Sequence, residues 1–69
     1  MKKFGIEVVK GNDSTLIKTF DTKEDGMIYG ADYFRTMKRE DGILRLFNAE
    51  FDENGQIVNN ERRIYHVWY

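Results

Sequence analysis

Alternating apolar and polar residues near the start of the chain predict a β-hairpin. Phe4, Ile6 and Val8 recur at every second position, which is the period of a strand with one buried face. The sequence GNDS at positions 11–14 favours a turn, and residues 15–20 resume the alternation. Two such segments joined by a short turn are expected to pair as antiparallel neighbours.

The apolar period then lengthens from two residues to between three and four, which indicates a helix. Met27, Ala31 and Phe34 fall at this spacing. We therefore predict a helix from about Lys23 to about Glu40, ended by Gly42.

Two features of this predicted helix bear on its ends and its packing. Thr22 stands three residues before Asp25, an arrangement similar to a helix capping box. Gly26 and Gly30 each weaken a helix by roughly 1 kcal/mol relative to alanine. Gly30 lies on the apolar stripe, so we expect it to let the helix approach the sheet closely.

The C-terminal third of the chain predicts a second hairpin. Residues 43–51 form an apolar third strand, and residues 56–69 form a fourth strand interrupted at 59–61. The sequence DENG at 52–55 is typical of a hairpin connection. The chain is therefore predicted to be a single α+β domain over residues 1–69, built ββαββ, with one helix packed on one face of an antiparallel sheet.

The third strand is apolar on both of its faces, unlike a strand with one side in water. One face carries Ile43, Phe47, Ala49 and Phe51, and the other carries Leu44 and Leu46. A single helix covers only one face, and the second face of an antiparallel sheet in water should be polar. Either the sheet curls over its second face, or another chain covers it.

The helix-free face is accordingly our predicted binding surface. Arginine and aromatic residues are favoured at protein interfaces, and Arg45 could join the surface. The predicted contact residues are Leu44, Leu46, Tyr65, Trp68 and Tyr69. We expect a non-catalytic interaction or adaptor module that binds another protein or a second copy of itself, as a homodimer.

Composition narrows the class of protein. The 69 residues include no cysteine, so disulfides are excluded, and the chain suits the reducing cytoplasm. The net charge of −1 gives no overall attraction to nucleic acid or to anionic membranes. No stretch approaches the roughly 20 apolar residues of a membrane span, so we expect a cytoplasmic protein with no membrane partner.

Nucleic-acid binding is the alternative function. Arg35, Lys38 and Arg39 form a basic cluster near the predicted end of the helix. Tyr29 and Tyr33 are one helical turn apart and could stack on bases. Cations at a helix C-terminus also oppose its negative dipole end, so the same cluster has a purely structural explanation.

Catalytic and metal-binding patterns are weak. Ser14 and His66 are the only serine and histidine, and nothing local predicts the contact that nucleophilic catalysis requires. We therefore expect no enzyme and no cofactor. Residues 50–61 resemble the calcium-binding loop of the EF-hand family, with Gly55 at the sharp turn, but Glu50 stands where that motif has aspartate. The flanks predict strands, so we predict a plain hairpin turn and no metal site, and leave calcium open.

Overall fold

The computed structural model describes residues 1–69 and shows one four-stranded sheet with one α-helix. In chain order, the elements are β1 (Lys2–Lys10), β2 (Asp13–Phe20), α1 (Lys23–Phe34), a 3₁₀ turn (Arg39–Asp41), β3 (Ile43–Phe51) and β4 (Ile57–Trp68). The strand order is β2-β1-β3-β4, and all neighbouring strands are antiparallel. The predicted ββαββ order and α+β class are confirmed.

Helix α1 begins where the sequence predicts. The Thr22 hydroxyl oxygen accepts a hydrogen bond from the backbone N–H of Asp25 at 3.2 Å. This bond satisfies one of the free N–H groups at the start of the helix. The acidic residues Glu24 and Asp25 in the first turn complement the positive end of the helix dipole.

The prediction for the other end of the helix is wrong, because α1 ends at Phe34 rather than near Glu40. The Tyr33 carbonyl accepts bonds from the Thr36 hydroxyl at 2.7 Å and the Thr36 N–H at 3.0 Å. A threonine hydroxyl offers the backbone an alternative to continued helix. The chain then turns so that Met37 packs against the core.

The main core lies between α1 and the sheet. Ile6, Leu44 and Leu46 are fully buried at its centre. Around them pack Phe4, Val8, Ile17, Phe20, Met27, Tyr29, Tyr33, Phe34, Met37 and Trp68. Gly26 and Gly30 are the buried residues of α1, so the helix meets the sheet along its glycines, as predicted for Gly30.

A second apolar cluster lies on the other side of the sheet. Phe47, Ala49 and Phe51 are buried there, with Ile57 packed against them. The cover comes from the same chain, because Ile57 is the cross-strand partner of Phe51. Burial within the monomer thus accounts for these three residues without a second chain.

Both edge strands are irregular. The pairing of β2 with β1 shifts between Ile6 and Glu7, and the pairing of β4 with β3 shifts twice. Asn59 and Asn60 have positive φ angles of 60° and 56°, so the interruption predicted at 59–61 takes the form of a bulge inside one continuous strand. Bulges of this kind increase local twist and hinder edge-to-edge pairing.

The one α-helix is too short and too polar to cross a lipid bilayer.

Candidate functional site

The candidate site is the helix-free face, which we define as the sheet surface opposite α1. Cross-strand partners share a face of a sheet. Glu7 pairs with Leu16 on one side and Arg45 on the other, while Phe47 pairs with Ile64 and Ala49 with Arg62. The centre of the helix-free face therefore consists of Glu7, Leu16, Arg45, Phe47, Arg62 and Ile64.

A buried carboxylate organises this centre. Glu7 is only 2% exposed. The Arg45 Nε donates to Glu7 Oε2 at 2.9 Å, and Arg45 Nη2 lies 2.7 Å from the same oxygen. Arg62 Nη1 donates to Glu7 Oε1. A buried carboxylate is tolerated only when it is paired and hydrogen-bonded, so Glu7 and the two guanidinium groups fix one another.

The ring of Phe47 lies beneath Arg62. A Cβ placed on Gly5 would lie 2.5 Å from Phe47 Cζ and 2.8 Å from Cε1, so the ring occupies the space that a side chain at Gly5 would fill. The Arg62 guanidinium carbon lies 4.8 Å from the centre of the Phe47 ring. This is cation–π geometry, and it explains how Phe47 is fully buried on a face that has no helix.

The centre of the face keeps a positive charge. Two arginines and one carboxylate leave a local charge of 2 − 1 = +1, and Lys3 lies on the same face as the partner of Ala49. The Arg45 and Arg62 side chains remain 28% and 25% exposed. The chain as a whole carries −1, so this face is more positive than the rest of the molecule.

Exposed aliphatic side chains flank the arginines. Leu16 on β2 is 42% exposed and Ile64 on β4 is 40% exposed. They lie on opposite edge strands, three strand spacings apart and two residues apart along the strands, which corresponds to about 16 Å between their backbone positions. The surface thus has a cationic centre with an apolar side chain on each side.

Four of the five predicted interface residues lie on the side that carries the helix, so their assignment to the helix-free face is wrong. Leu44 and Leu46 are fully buried against α1, and Trp68 packs into the same core. Tyr65 packs against Phe4 in a tilted arrangement, with ring centres 5.5 Å apart and 55° between the ring planes. The register decides this, because Leu44 and Leu46 face the same way as Val8 and Ile6, their partners on β1.

The fifth predicted residue, Tyr69, follows the end of β4 and is 91% exposed. It lines a surface cleft together with Lys38 and Arg39. Among the residues of the helix-free face, the apolar pattern of β3 pointed to Phe47, and Arg45 stood out as a charge between Leu44 and Leu46. Glu7, Leu16, Arg62 and Ile64 fit ordinary strand alternation and were missed.

The residues predicted for nucleic acid are only partly brought together. Arg35 follows the helix and pairs with Asp32 at 3.9 Å, while Lys38 and Arg39 lie in the segment of the 3₁₀ turn. Tyr29 and Tyr33 stack on each other with ring centres 5.9 Å apart and pack against the core. The two tyrosine rings therefore have part of their surface occupied within the chain.

The residues considered for catalysis and for calcium are placed apart or are already engaged. Ser14 lies on edge strand β2 and His66 on the opposite edge strand β4. The predicted hairpin is confirmed, because β3 ends at Phe51 and β4 begins at Ile57, which leaves only residues 52–56 as the connecting loop. In that loop, Asp52 Oδ1 accepts from the N–H groups of Asn54 and Gln56 at 2.9 Å each.

No protein-family model, curated protein or solved structure matches this chain. Its function is therefore inferred from its own geometry.

Proposed function

We propose that this protein is a non-catalytic interaction module that binds a partner protein with its helix-free face. One observation carries the proposal: two arginines anchored on a buried glutamate are flanked by two exposed aliphatic side chains, with no element of the chain above them. Arginine and apolar anchors are the chemistry of interface centres.

A protein suits this face better than a nucleic acid does. Binding to single-stranded nucleic acid uses aromatic rings on which bases stack. The aromatic residues on this face, Phe47 and Phe51, are buried. Leu16 and Ile64 instead offer aliphatic surface, which gains free energy when another apolar surface covers it.

A different protein suits the face better than a second copy. Two copies joined face to face would bring Arg45 and Arg62 of one chain towards the same arginines of the other. Like charges across an interface are unfavourable. We therefore propose a partner with complementary charge, and self-association through this face is the competing outcome.

A peptide-display selection tests the proposal. A library of random dodecapeptides is selected on the immobilised chain, and enriched peptides are measured against two variants. L16S/I64S removes the apolar flanks of the helix-free face, whereas I28S removes an exposed isoleucine from α1. We expect L16S/I64S to weaken binding at least tenfold and I28S to leave it unchanged.

Three results would contradict the proposal. The first is that no peptide is enriched, and the second is that binding is lost in I28S but retained in L16S/I64S. The third is a dimer in sedimentation velocity that dissociates in L16S/I64S, because a second copy would then occupy the face. We expect the unliganded chain to sediment as a monomer.

A second candidate function is nucleic-acid binding at the cleft beside Tyr69. The observation that favours it is the exposed tyrosine ring lying beside Lys38 and Arg39, since aromatic and basic side chains together bind single strands. An electrophoretic shift assay at two salt concentrations with Y69A and K38A/R39A tests it. Retardation that weakens steeply with salt and is lost in both variants would support it.

A further inference from the structure

We infer that the centre of the helix-free face is a carboxylate-binding site, in which Arg45 and Arg62 together receive an acidic side chain of the partner. The inference rests on the proposed function and adds the chemistry of the partner: an acidic residue with an apolar residue on either side.

The two arginines keep free hydrogen-bond donors. A guanidinium carries five N–H groups. Glu7 engages Nε and Nη2 of Arg45 and Nη1 of Arg62. The remaining nitrogens, Nη1 of Arg45 and both Nε and Nη2 of Arg62, have no acceptor on the protein, while both side chains are about a quarter exposed. A carboxylate that approaches from solvent meets donors from both arginines.

The site is held in place before any ligand arrives. Glu7 fixes both guanidinium groups from below, and the Phe47 ring supports Arg62. Side chains that are already ordered lose less entropy on binding. Because Glu7 neutralises only one of the two cations, the site still attracts one negative charge.

The distance between the two apolar flanks determines how far apart the apolar residues of the partner must be. The backbone positions of Leu16 and Ile64 are about 16 Å apart, and residues four apart in an extended segment are about 13 Å apart. The residue midway between them would lie over the arginines. An extended segment with the pattern apolar-x-acidic-x-apolar therefore matches the surface in charge, and its span is within about 3 Å of the separation of the two apolar flanks.

The dodecapeptides enriched on the helix-free face test this inference. We expect most of them to contain glutamate or aspartate two residues from an apolar residue. In a synthetic copy of one such peptide, replacing the acidic residue by its amide should weaken binding at least tenfold. This replacement leaves the protein unchanged, so a loss of affinity cannot come from misfolding.

Arg62 and Arg63 are neighbours in β4 but lie on opposite faces of the sheet, so R63Q is a matched control for R62Q. R62Q and R45Q remove one guanidinium each from the site, whereas R63Q changes the next residue on β4, whose side chain lies over Tyr65. Circular dichroism first establishes that each variant is folded. We expect R45Q and R62Q to bind the acidic peptide at least tenfold more weakly, and R63Q to bind it as the wild type does.

Several results would overturn the carboxylate site. If peptides depend on Leu16 and Ile64 but carry no acidic residue, the proposed interaction surface stands and the carboxylate site fails. If no peptide depends on the face, both proposals fail. A ten-residue oligothymidylate tests the remaining alternative. If it competes with the acidic peptide, and if R45Q no longer binds it, the arginines bind phosphate groups. The partner would then be a nucleic acid and not a protein.

Discussion

The indole ring of Trp68 lies directly against the backbone of Gly30. A Cβ built on Gly30 would be 2.6 Å from Trp68 Cζ3 and 2.9 Å from Cζ2. The last residue of β4 thus joins the helix to the sheet, and the contact exists only because position 30 has no side chain. Trp68 is a core residue for this reason, and it is not available to a partner on the helix-free face.

Gly30→Ala should destabilise the protein despite the higher helix propensity of alanine. Overpacking a tight contact costs about 1–3 kcal/mol, and the gain in propensity is about 1 kcal/mol. We expect the free energy of unfolding to fall by about 1–2 kcal/mol, since a planar indole cannot move aside as a flexible chain does. Urea denaturation followed by circular dichroism measures the change.

The control is the same substitution in a smaller-ring background. In Trp68→Phe, the atoms that crowd position 30 are removed, so Gly30→Ala should cost less there than in the wild type. Equal costs in the two backgrounds would show that the indole is not the cause.

Glu7→Gln should be among the most destabilising conservative substitutions in the chain. It removes the charge that balances two arginines, and breaking a buried ion pair costs about 3–5 kcal/mol. Because the guanidinium groups keep some contact with water, we expect about 2–3 kcal/mol. A core of this size contributes roughly 3–5 kcal/mol in total, so a large unfolded fraction should be visible in the amide NMR spectrum.

Glu50→Gln is the matched control for that substitution. Glu50 pairs with the N-terminal ammonium group at the surface, and exposed ion pairs contribute about 0–1 kcal/mol. We expect a change within about 0.5 kcal/mol. If both variants lose a comparable free energy of unfolding, the buried ion pairs of Glu7 contribute no more to stability than the surface pair of Glu50 does.

Thr22→Ala should remove the N-terminal cap of α1. The lost bond to the Asp25 N–H corresponds to about 1 kcal/mol of stability. Thr22→Ser keeps the hydroxyl and should retain most of that stability. Thermal unfolding of the two variants side by side measures the difference, and identical midpoints would rule out a capping role for the hydroxyl.

Gly42→Ala should cost more than Gly11→Ala, although both glycines have positive φ angles, of 102° and 61°. A left-handed conformation costs a non-glycine residue about 1–2 kcal/mol. A Cβ at Gly11 would meet no other atom within 4 Å, whereas one at Gly42 would lie 3.0 Å from the Val9 carbonyl carbon and closer still to its oxygen. Chemical denaturation should rank the two variants in that order, and the reverse order would contradict the close approach of Gly42 to β1.

Local features of the chain were sufficient to predict most of the elements. Strand alternation, the GNDS and DENG turns and the Thr22 cap each depend on residues close together in sequence, and each appears in the structure. The helix end was not predictable in this way. Residues 35–40 have helical character, but the chain leaves the helix after Phe34 so that Met37 can enter the core and Gly42 can approach β1.

The sequence by itself determined that β3 is apolar on two sides, and therefore that one helix could not account for all of its burial. Only the tertiary structure decided which side the helix covers. The register pairs Ile6 with Leu46 and places both beneath α1, which puts Phe47 and Arg45 on the helix-free face. It also joins Glu7 to Arg62 across 55 positions. No local pattern reports such a contact, because a charge in an alternating strand has the same signature whether it faces water or a distant arginine.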